Sequence, residues 1–308
     1  MGFVRESGGE ARSFSEIKQH IPKVREAAIM QFLHLLKKFA GVVSEDHLWG
    51  DETEFHIVHL DKHSKKARIC LKGKEFVSGI EDELFEAQYE FGSWMVEGVP
   101  KNPYHIKCDP EEIRRNIQAR RQGIEKHLDP DEFILSCPIF PLLGIADFYR
   151  DMDEEYKDQH SAEVEATLGL KKMSAVAKSS VEQQERKGLS EAFLTGSEKH
   201  FMCMGEIVPD YLITSHPRYI TLARNILLRK GSKPHIKAPI YKDVNTSMEP
   251  TLDEPFPGYI FMDCLIYAFG NCCLQQTFAA KGYHEARYLY DQLGILSPLV
   301  VTNIMLIF

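Results

Sequence analysis

Long apolar runs are absent from this sequence, and so is a cationic leader. No stretch of about 18 apolar residues is available to cross a bilayer as a helix. Residues 1–6, Met-Gly-Phe-Val-Arg-Glu, carry neither the basic segment nor the apolar core of a secretory signal peptide. These absences predict a cytoplasmic protein with no membrane partner.

Cysteine and positive charge are also in short supply. The seven cysteines are odd in number and show no CxxC spacing, which argues against a disulfide framework and a structural zinc site. Most of the thiols are therefore predicted to be buried as small apolar groups. Lysine and arginine total 37 against 45 aspartates and glutamates, a formal net charge of -8. Because nucleic-acid binding depends on cationic side chains, this balance predicts no nucleic-acid partner.

Apolar residues are present in sufficient number for a folded core. They make up 44% of the 308-residue chain, enough to bury the core of one large domain or of two smaller ones. We expect a single region spanning residues 1–308. Residues 22–39 repeat apolar side chains at helical spacing and predict an amphipathic helix that packs onto a core. Residues 150–200 are rich in Glu, Lys, Gln and Ser, and this composition predicts a polar insertion or lid that buries little.

From residue 49 the apolar period becomes two, as in a strand. One face of this predicted strand carries Glu52, Glu54 and His56, and the other carries Phe55 and Ile57. A turn at 62–65 and a second apolar run at 67–71 predict a hairpin. Further strands are predicted at 93–99, 236–241 and, as core strands, within 259–278, with helices at 111–127, 218–229 and 285–296. Hairpin-linked strands with helices set apart favour an α+β fold.

The acidic residues of these strands are the first candidates for chemistry. Glu52 and Glu54 point the same way, and like charges held together repel unless a cation or protons neutralise them. A hard divalent cation such as Mg²⁺ would resolve this repulsion, although the spacing alone equally suits a solvated strand face. Glu90 and Glu97 are separated by an odd number of residues, so Glu90 must precede the strand if both reach one site. Gly92 supplies the change of direction.

Two other segments leave alternatives open. Adjacent strand residues face opposite sides, so Cys272 and Cys273 are not expected to bind one metal together; redox regulation and buried packing are the two alternatives for them.

A basic run consists of Arg218, Arg224, Arg229 and Lys230. These side chains could bind nucleotide phosphates or a substrate carboxylate. The alternative is that they form an ordinary solvated helix face.

Seven blocks, in order, carry a resemblance to a known family. They are Trp-Gly-Asp-Glu-Thr-Glu-Phe at 49–55, Glu-Phe-Gly-Ser-Trp-Met-Val-Glu-Gly-Val-Pro at 90–100, His-Pro-Arg-Tyr at 216–219, Pro-Ile-Tyr-Lys-Asp-Val-Asn-Thr at 239–246, Tyr-Ile-Phe-Met-Asp at 259–263, Gly-Asn-Cys-Cys-Leu-Gln-Gln-Thr-Phe at 270–278, and Glu-Ala-Arg-Tyr-Leu-Tyr-Asp-Gln-Leu at 285–293. Together, from about residue 15 to about residue 300, they resemble the eukaryotic glutamate-cysteine ligase catalytic subunit.

The resemblance implies a glutamine synthetase-like α+β fold, which is a curved antiparallel sheet with flanking helices. It also implies that this chain forms the fold incompletely. It implies ligation of L-glutamate to L-cysteine through an acyl phosphate, with ATP as co-substrate and Mg or Mn as cofactor, in the first step of glutathione biosynthesis. A regulatory (modifier) subunit is an implied partner. The metal ligands it implies are Glu52, Glu54, Glu90, Glu97 and Gln275. The nucleotide-binding residues would be Arg218, Arg229 and Lys230, and no catalytic residue beyond the metal ligands is assigned.

Several positions depart from the family pattern and bear on phosphate and substrate binding. They are Tyr89 in place of proline, Leu142 and Leu227 in place of arginine, Lys230 in place of arginine, and His105-Ile106 in place of glycines. The match fades into an apolar tail at 301–308, which predicts a truncated chain. The alternative functions are therefore a catalytically inactive form or binding module of the family, and a different carboxylate-amine ligase.

Overall fold

The computed structural model describes residues 17–44, 46–144, 147–150, 152, 154–167, 205, 207–245 and 258–305, which form a mixed α+β structure with an antiparallel sheet. The strands are β1 (Leu48–Asp61), β2 (Lys66–Ile69), β3 (Phe85–Tyr89), β4 (Met95–Pro100), β5 (Tyr104–His105), β6 (Glu132–Leu135), β7 (Ile236–Pro239), β8 (Tyr259–Met262) and β9 (Leu274–Phe278). The helices are α1 (Ile21–Phe39), α2 (Gly73–Gly79), α3 (Pro110–Glu125), α4 (Glu154–Thr167), α5 (Pro217–Lys230), α6 (Ile266–Phe269) and α7 (Tyr283–Met305), with a 3-10 turn at Asp210–Leu212. No helix in these ranges is long and apolar enough to cross a membrane.

Strand β1 is the central strand of a seven-stranded sheet, because it pairs with five of the other strands. Trp49 pairs with both Tyr104 of β5 and Phe278 of β9, so those two strands lie along opposite edges of β1. By the same argument β4 and β2 share the edge of β5, and β6 shares the edge of β9. β3 pairs with the outer side of β4, and β7 and β8 form a separate two-stranded sheet. The predicted β1–β2 hairpin is confirmed.

Two apolar clusters cover opposite faces of the sheet. Val58 and Trp94 belong to one cluster, and Ile57 and Ile124 belong to the other. Because neighbouring strand residues face opposite sides, Val58 and Ile57 assign each cluster to its face. The predicted alternation along β1 is therefore confirmed, and Glu52, Glu54 and His56 share the face of Val58.

Helix α1 forms as predicted, but the prediction that it packs onto a core is wrong for the described part of the chain. None of its residues is buried, and the side chains of Ile29 and Phe32 are 59% and 60% exposed. Apolar spacing shows that a helix has a face to cover. It does not show which element covers that face, and none of the described elements does.

The segment 259–278 is also corrected. It contains β8, the short helix α6 and β9 in place of continuous core strands, and all five residues of β9 are exposed. A short apolar run does not distinguish a strand from a helix by periodicity alone. Here the chain turns into α6, which Asn271 closes by donating its side-chain amide to the carbonyl of Tyr267 at 3.1 Å.

The polar segment 150–200 buries more than its composition predicts. Its first part forms helix α4, in which His160 is buried and Tyr156 and Val164 pack against the cluster of Val58. The remainder lies outside the described residues, so its role as a lid stays a prediction. Among the described cysteines, Cys70, Cys264 and Cys272 are buried, and the others are half-buried or exposed. Cys203 lies outside the described residues.

Candidate metal centre

The sheet register places four of the predicted ligands on one face. Glu54 lies directly opposite Glu97 of β4, and Glu52 lies directly opposite Gln275 of β9. Directly opposed residues of antiparallel strands project from the same face, and residues two apart on β1 do so as well. Glu52, Glu54 and Glu97 are all buried, whereas Gln275 is exposed.

Glu90 reaches this face from the connection between β3 and β4, as predicted. Gln88 lies opposite Glu97, and Glu90 follows two residues later, just beyond the end of β3. The segment is held by its backbone, because the hydroxyl of Thr214 donates to the carbonyl oxygen of Glu90 at 2.6 Å. The Glu90 carboxylate accepts the backbone N–H of Phe91 at 3.1 Å.

Hydrogen bonds tie the carboxylate of Glu54 to the segment before β9. One oxygen accepts the backbone N–H of Cys273 at 2.9 Å, and the other accepts the side-chain amide of Gln275 at 3.2 Å. Cys273 directly precedes β9 and Gln275 lies within it, so both bonds join β1 to a part of the chain more than 200 residues further along. The acidic face is therefore built by long-range pairing.

The glutamates perturb one another. Burial, a hydrogen bond with Glu52 and repulsion from the other carboxylates raise the pKa of Glu97 to about 9. Burial and repulsion from Glu54 raise the pKa of Glu90 to about 7, against a lowering by Arg218. Burial also raises the pKa of Glu54. With a pKa of about 9, the Glu97 carboxyl holds a proton at neutral pH when no cation is bound.

The fit of a divalent cation can be tested on these observations. No group of three or more His, Cys, Asp or Glu side chains in the described ranges is arranged to hold a metal ion. Glu54 is engaged by Cys273 and Gln275, and Gln275 presents its amide nitrogen. The donor chemistry nevertheless fits Mg²⁺, because the carboxylates repel one another. The buried Oε1 of Glu97 has no hydrogen-bond partner. The assignment of the five ligands stays a prediction.

The opposite face of β1 carries an ion pair that sequence reasoning missed. Both terminal nitrogens of Arg120, on α3, donate to the carboxylate of Asp51 at 2.8 Å, and both residues are buried. Arg120 also donates to the hydroxyl of Tyr104 at 2.8 Å, the side chain of Asn116 at 2.7 Å and the carbonyl of Gly98 at 3.1 Å. Asp51 precedes Glu52 and Gly98 follows Glu97, so this cluster fixes the backbone beside two predicted ligands.

The predicted nucleotide-binding residues do not lie together. Arg218 lies in the first turn of α5 and is close enough to Glu90 to lower the pKa of Glu90. Arg229 and Lys230 end the same helix, about 17 Å away at the usual rise of about 1.5 Å per residue. Arg224 is buried between them. Only Arg218 is therefore placed at the carboxylate face.

Two of the departures from the family pattern have a structural explanation. Leu227 is buried, and Leu142 is half-buried against the cluster of Val58. An arginine at either position would place a cation where this chain packs an apolar side chain, so leucine suits the core found here.

Cys272 and Cys273 lie just before β9 and not within a strand, so the alternation of faces expected of them has no strand to act on. Cys272 is buried and Cys273 is exposed, and burial raises the pKa of each thiol. A raised thiol pKa lowers the thiolate fraction and with it the reactivity. Packing is thus the favoured reading for Cys272, and redox regulation stays a prediction.

Comparison with known proteins gives a consistent family match. The glutamate-cysteine ligase family model matches residues 3–303. The chain is 31% identical to the glutamate-cysteine ligase catalytic subunit of Homo sapiens over 96% of this chain and 43% of that protein. It is 28% identical to the glutamate-cysteine ligase of Dictyostelium discoideum over 98% of this chain and 46% of that protein. The chain thus spans less than half the length of these curated relatives.

Proposed function

Because the chain belongs to the glutamate-cysteine ligase family, we propose that it takes part in ATP-dependent joining of L-glutamate to L-cysteine. The product would be γ-glutamylcysteine, made in the first step of glutathione biosynthesis. The side-chain carboxylate of glutamate attacks the γ-phosphorus of ATP, releasing ADP and forming an acyl phosphate. The amine of cysteine then attacks the acyl carbon, phosphate leaves, and the amine loses a proton to give the amide.

The observation that carries the proposal is the shared face of Glu52, Glu54, Glu97 and Gln275, with Glu90 beside it. Glu54 and Glu97 are buried carboxylates with raised pKa values, and Glu52 is buried beside them. Perturbed pKa values of this kind cluster at functional sites. We propose that these five residues hold Mg²⁺ or Mn²⁺. When bound, the cation would offset charge on the phosphates of ATP during transfer.

The residues of this chain would act mainly by positioning. Hydrogen bonds from Cys273 and Gln275 orient the Glu54 carboxylate, and the Thr214 hydroxyl holds the Glu90 segment. Arg218 supplies a positive charge beside Glu90 that suits a phosphate or a substrate carboxylate. We retain Arg229 and Lys230 as proposed nucleotide contacts, although their distance from Arg218 along α5 makes one shared phosphate site unfavourable.

Family membership also supports proposals for the fold, the partner subunit and the cellular location of the enzyme. The antiparallel sheet around β1 is compatible with a glutamine synthetase-like fold. The name "catalytic subunit" of the human relative supports a regulatory subunit as partner. The described cysteines are all unpaired, which agrees with the reducing cytoplasm as location.

Phosphate release by the 308-residue chain with Mg²⁺, ATP, glutamate and cysteine tests the proposal. We expect release that needs both amino acids and is lost in Glu97→Gln. The matched control is Glu125→Gln, because Glu125 lies on the surface of α3 and pairs only with Arg121, at 2.8 Å, among the ion pairs described. Direct titration with Mn²⁺ separates binding from turnover. A folded chain that releases no phosphate with wild-type residues would favour the inactive or binding form.

A further inference from the structure

Two adjoining cavities lie behind the segment that carries Glu90, between α2, α4 and residues 214–217. Their volumes are about 290 Å³ and about 280 Å³. They share Lys74, Glu163, Thr214 and Ser215 in their walls. Neither is lined by Glu52, Glu54, Glu90 or Glu97, so both are separate from the candidate metal centre.

The shared wall contains one charge of each sign. The ammonium of Lys74 lies 2.7 Å from the carboxylate of Glu163, and both side chains are partly exposed to solvent. Burial alone would raise the pKa of Glu163, but hydrogen bonds with Lys74 and Ser215 lower it, so Glu163 is ionised at neutral pH. Nearby His160 is neutral because burial lowers its pKa. Glu75 is the remaining charged side chain of the wall.

The balance of one cation against two carboxylates decides which ligand class fits. A polyanion such as a nucleotide would meet more negative than positive charge, so it is disfavoured. Each volume is also just under the usual range for drug-sized ligands. A molecule with one ammonium and one carboxylate would match Glu163 and Lys74 and still find hydroxyl partners in Thr214 and Ser215.

We propose that this paired cavity binds a small zwitterionic metabolite of the α-amino-acid class, at a site apart from the carboxylate face. Its ammonium pairs with Glu163 and its carboxylate with Lys74, in exchange for the existing ion pair. The exchange costs little, because an ion pair that is partly exposed to solvent is screened and contributes about 1 kcal/mol or less. The proposal goes beyond the ligase activity and does not depend on it.

The position of the cavity connects it to the candidate metal centre. Thr214 lines both cavities, donates its hydroxyl to the carbonyl of Glu90, and donates its backbone N–H to the carbonyl of Phe91 at 2.9 Å. Ser93, in the larger cavity, accepts the backbone N–H of Gly73 at 2.8 Å. An occupant would therefore touch Thr214, which holds the backbone of Glu90 and Phe91 in place.

The test uses three probes that differ by one group. L-alanine carries both charges, ethylamine lacks the carboxylate, and propionate lacks the ammonium. Amide NMR of the full chain, without ATP or divalent metal, is expected to show saturable shifts at Thr214 and Ser215 with alanine. Ethylamine and propionate should each bind about tenfold more weakly, since each lacks one charge-assisted hydrogen bond.

Variants locate the binding. Lys74→Met and Glu163→Gln should each weaken alanine binding about tenfold while the fold is retained, because the pair is exposed. The matched control is Lys62→Met, which breaks an exposed ion pair with Asp131 of the same 2.7 Å length away from either cavity. No saturable shift with alanine, equal binding of propionate, or binding that survives both variants but is lost in Glu97→Gln would each overturn the proposal.

Discussion

Replacing Asp51 with asparagine is expected to destabilise the fold strongly, although Asp51 lies on the face of β1 opposite the acidic one. The Arg120 side chain is 0% exposed and that of Asp51 is 4% exposed. Removing one partner of such a pair leaves an uncompensated buried charge, at a cost of about 3–5 kcal/mol. Whole domains are stable by only about 5–15 kcal/mol, so this one change removes a large part of the total.

The assay is urea unfolding of Asp51→Asn, followed by circular dichroism. Asp131→Asn is the matched control, because Asp131 pairs with Lys62 at the surface, where solvent screening leaves an ion pair with little effect on stability. A third variant, Arg120→Met with Asp51→Leu, removes both charges and should recover part of the lost stability. Recovery is incomplete because Asn116 and Tyr104 also lose a partner. Equal stability of Asp51→Asn and the control would refute the reasoning.

Three further changes have definite expected outcomes. Glu97→Gln should stabilise the metal-free protein by at least about 1 kcal/mol at pH 8. The pKa of Glu97 is raised to about 9 in the folded protein, so the wild-type protein loses stability as pH rises above the unfolded pKa of about 4.5. The gain from Glu97→Gln should therefore vanish below about pH 4.5 in pH-dependent urea melts. Arg218→Gln should raise the pKa of Glu90 above about 7, since a nearby cation is lost; carboxyl NMR titration that shows no rise would contradict this. Gly73→Ala should cost more than about 1 kcal/mol, because its Cβ would clash with the carbonyl oxygen of Met95 and lie 2.9 Å from that of Ser93. Gly79→Ala in the same helix meets nothing within 4 Å, and thermal melts that rank the two alanines equally would show that this contact relaxes.

The features that sequence reasoning predicted are those set by short-range pattern. The two faces of β1 follow from alternation, and the β1–β2 hairpin follows from a turn between two apolar runs. The position of Glu90 before β4 follows from its odd separation from Glu97. Each of these rests on residues close together in the chain, where backbone geometry leaves few choices.

The features that it missed depend on partners far along the chain. Gln275 was placed by family resemblance, because spacing cannot reveal that β9 pairs with β1. Arg120 lies within the helix predicted at 111–127, and the sequence does not distinguish a buried arginine there from a solvated one until its carboxylate partner is known. The apolar face of α1 is predicted to pack onto a core, but the sequence does not show which distant element would cover it. Asp51, which follows Trp49-Gly50, is a visible acidic residue of the sequence. No pattern in the sequence shows that its partner lies on α3.

The central position of β1 also bears on the order in which the protein folds. Its pairing with β2 closes a short loop, whereas its pairing with β9 joins Glu52 to Gln275 across more than 200 residues. Closing longer loops costs more entropy and slows folding. Local hairpins should therefore form early and the β1–β9 pair late. The neighbours Cys273 and Gln275 would then reach Glu54 only after most of the sheet exists, so the acidic face would be completed in one of the final folding steps.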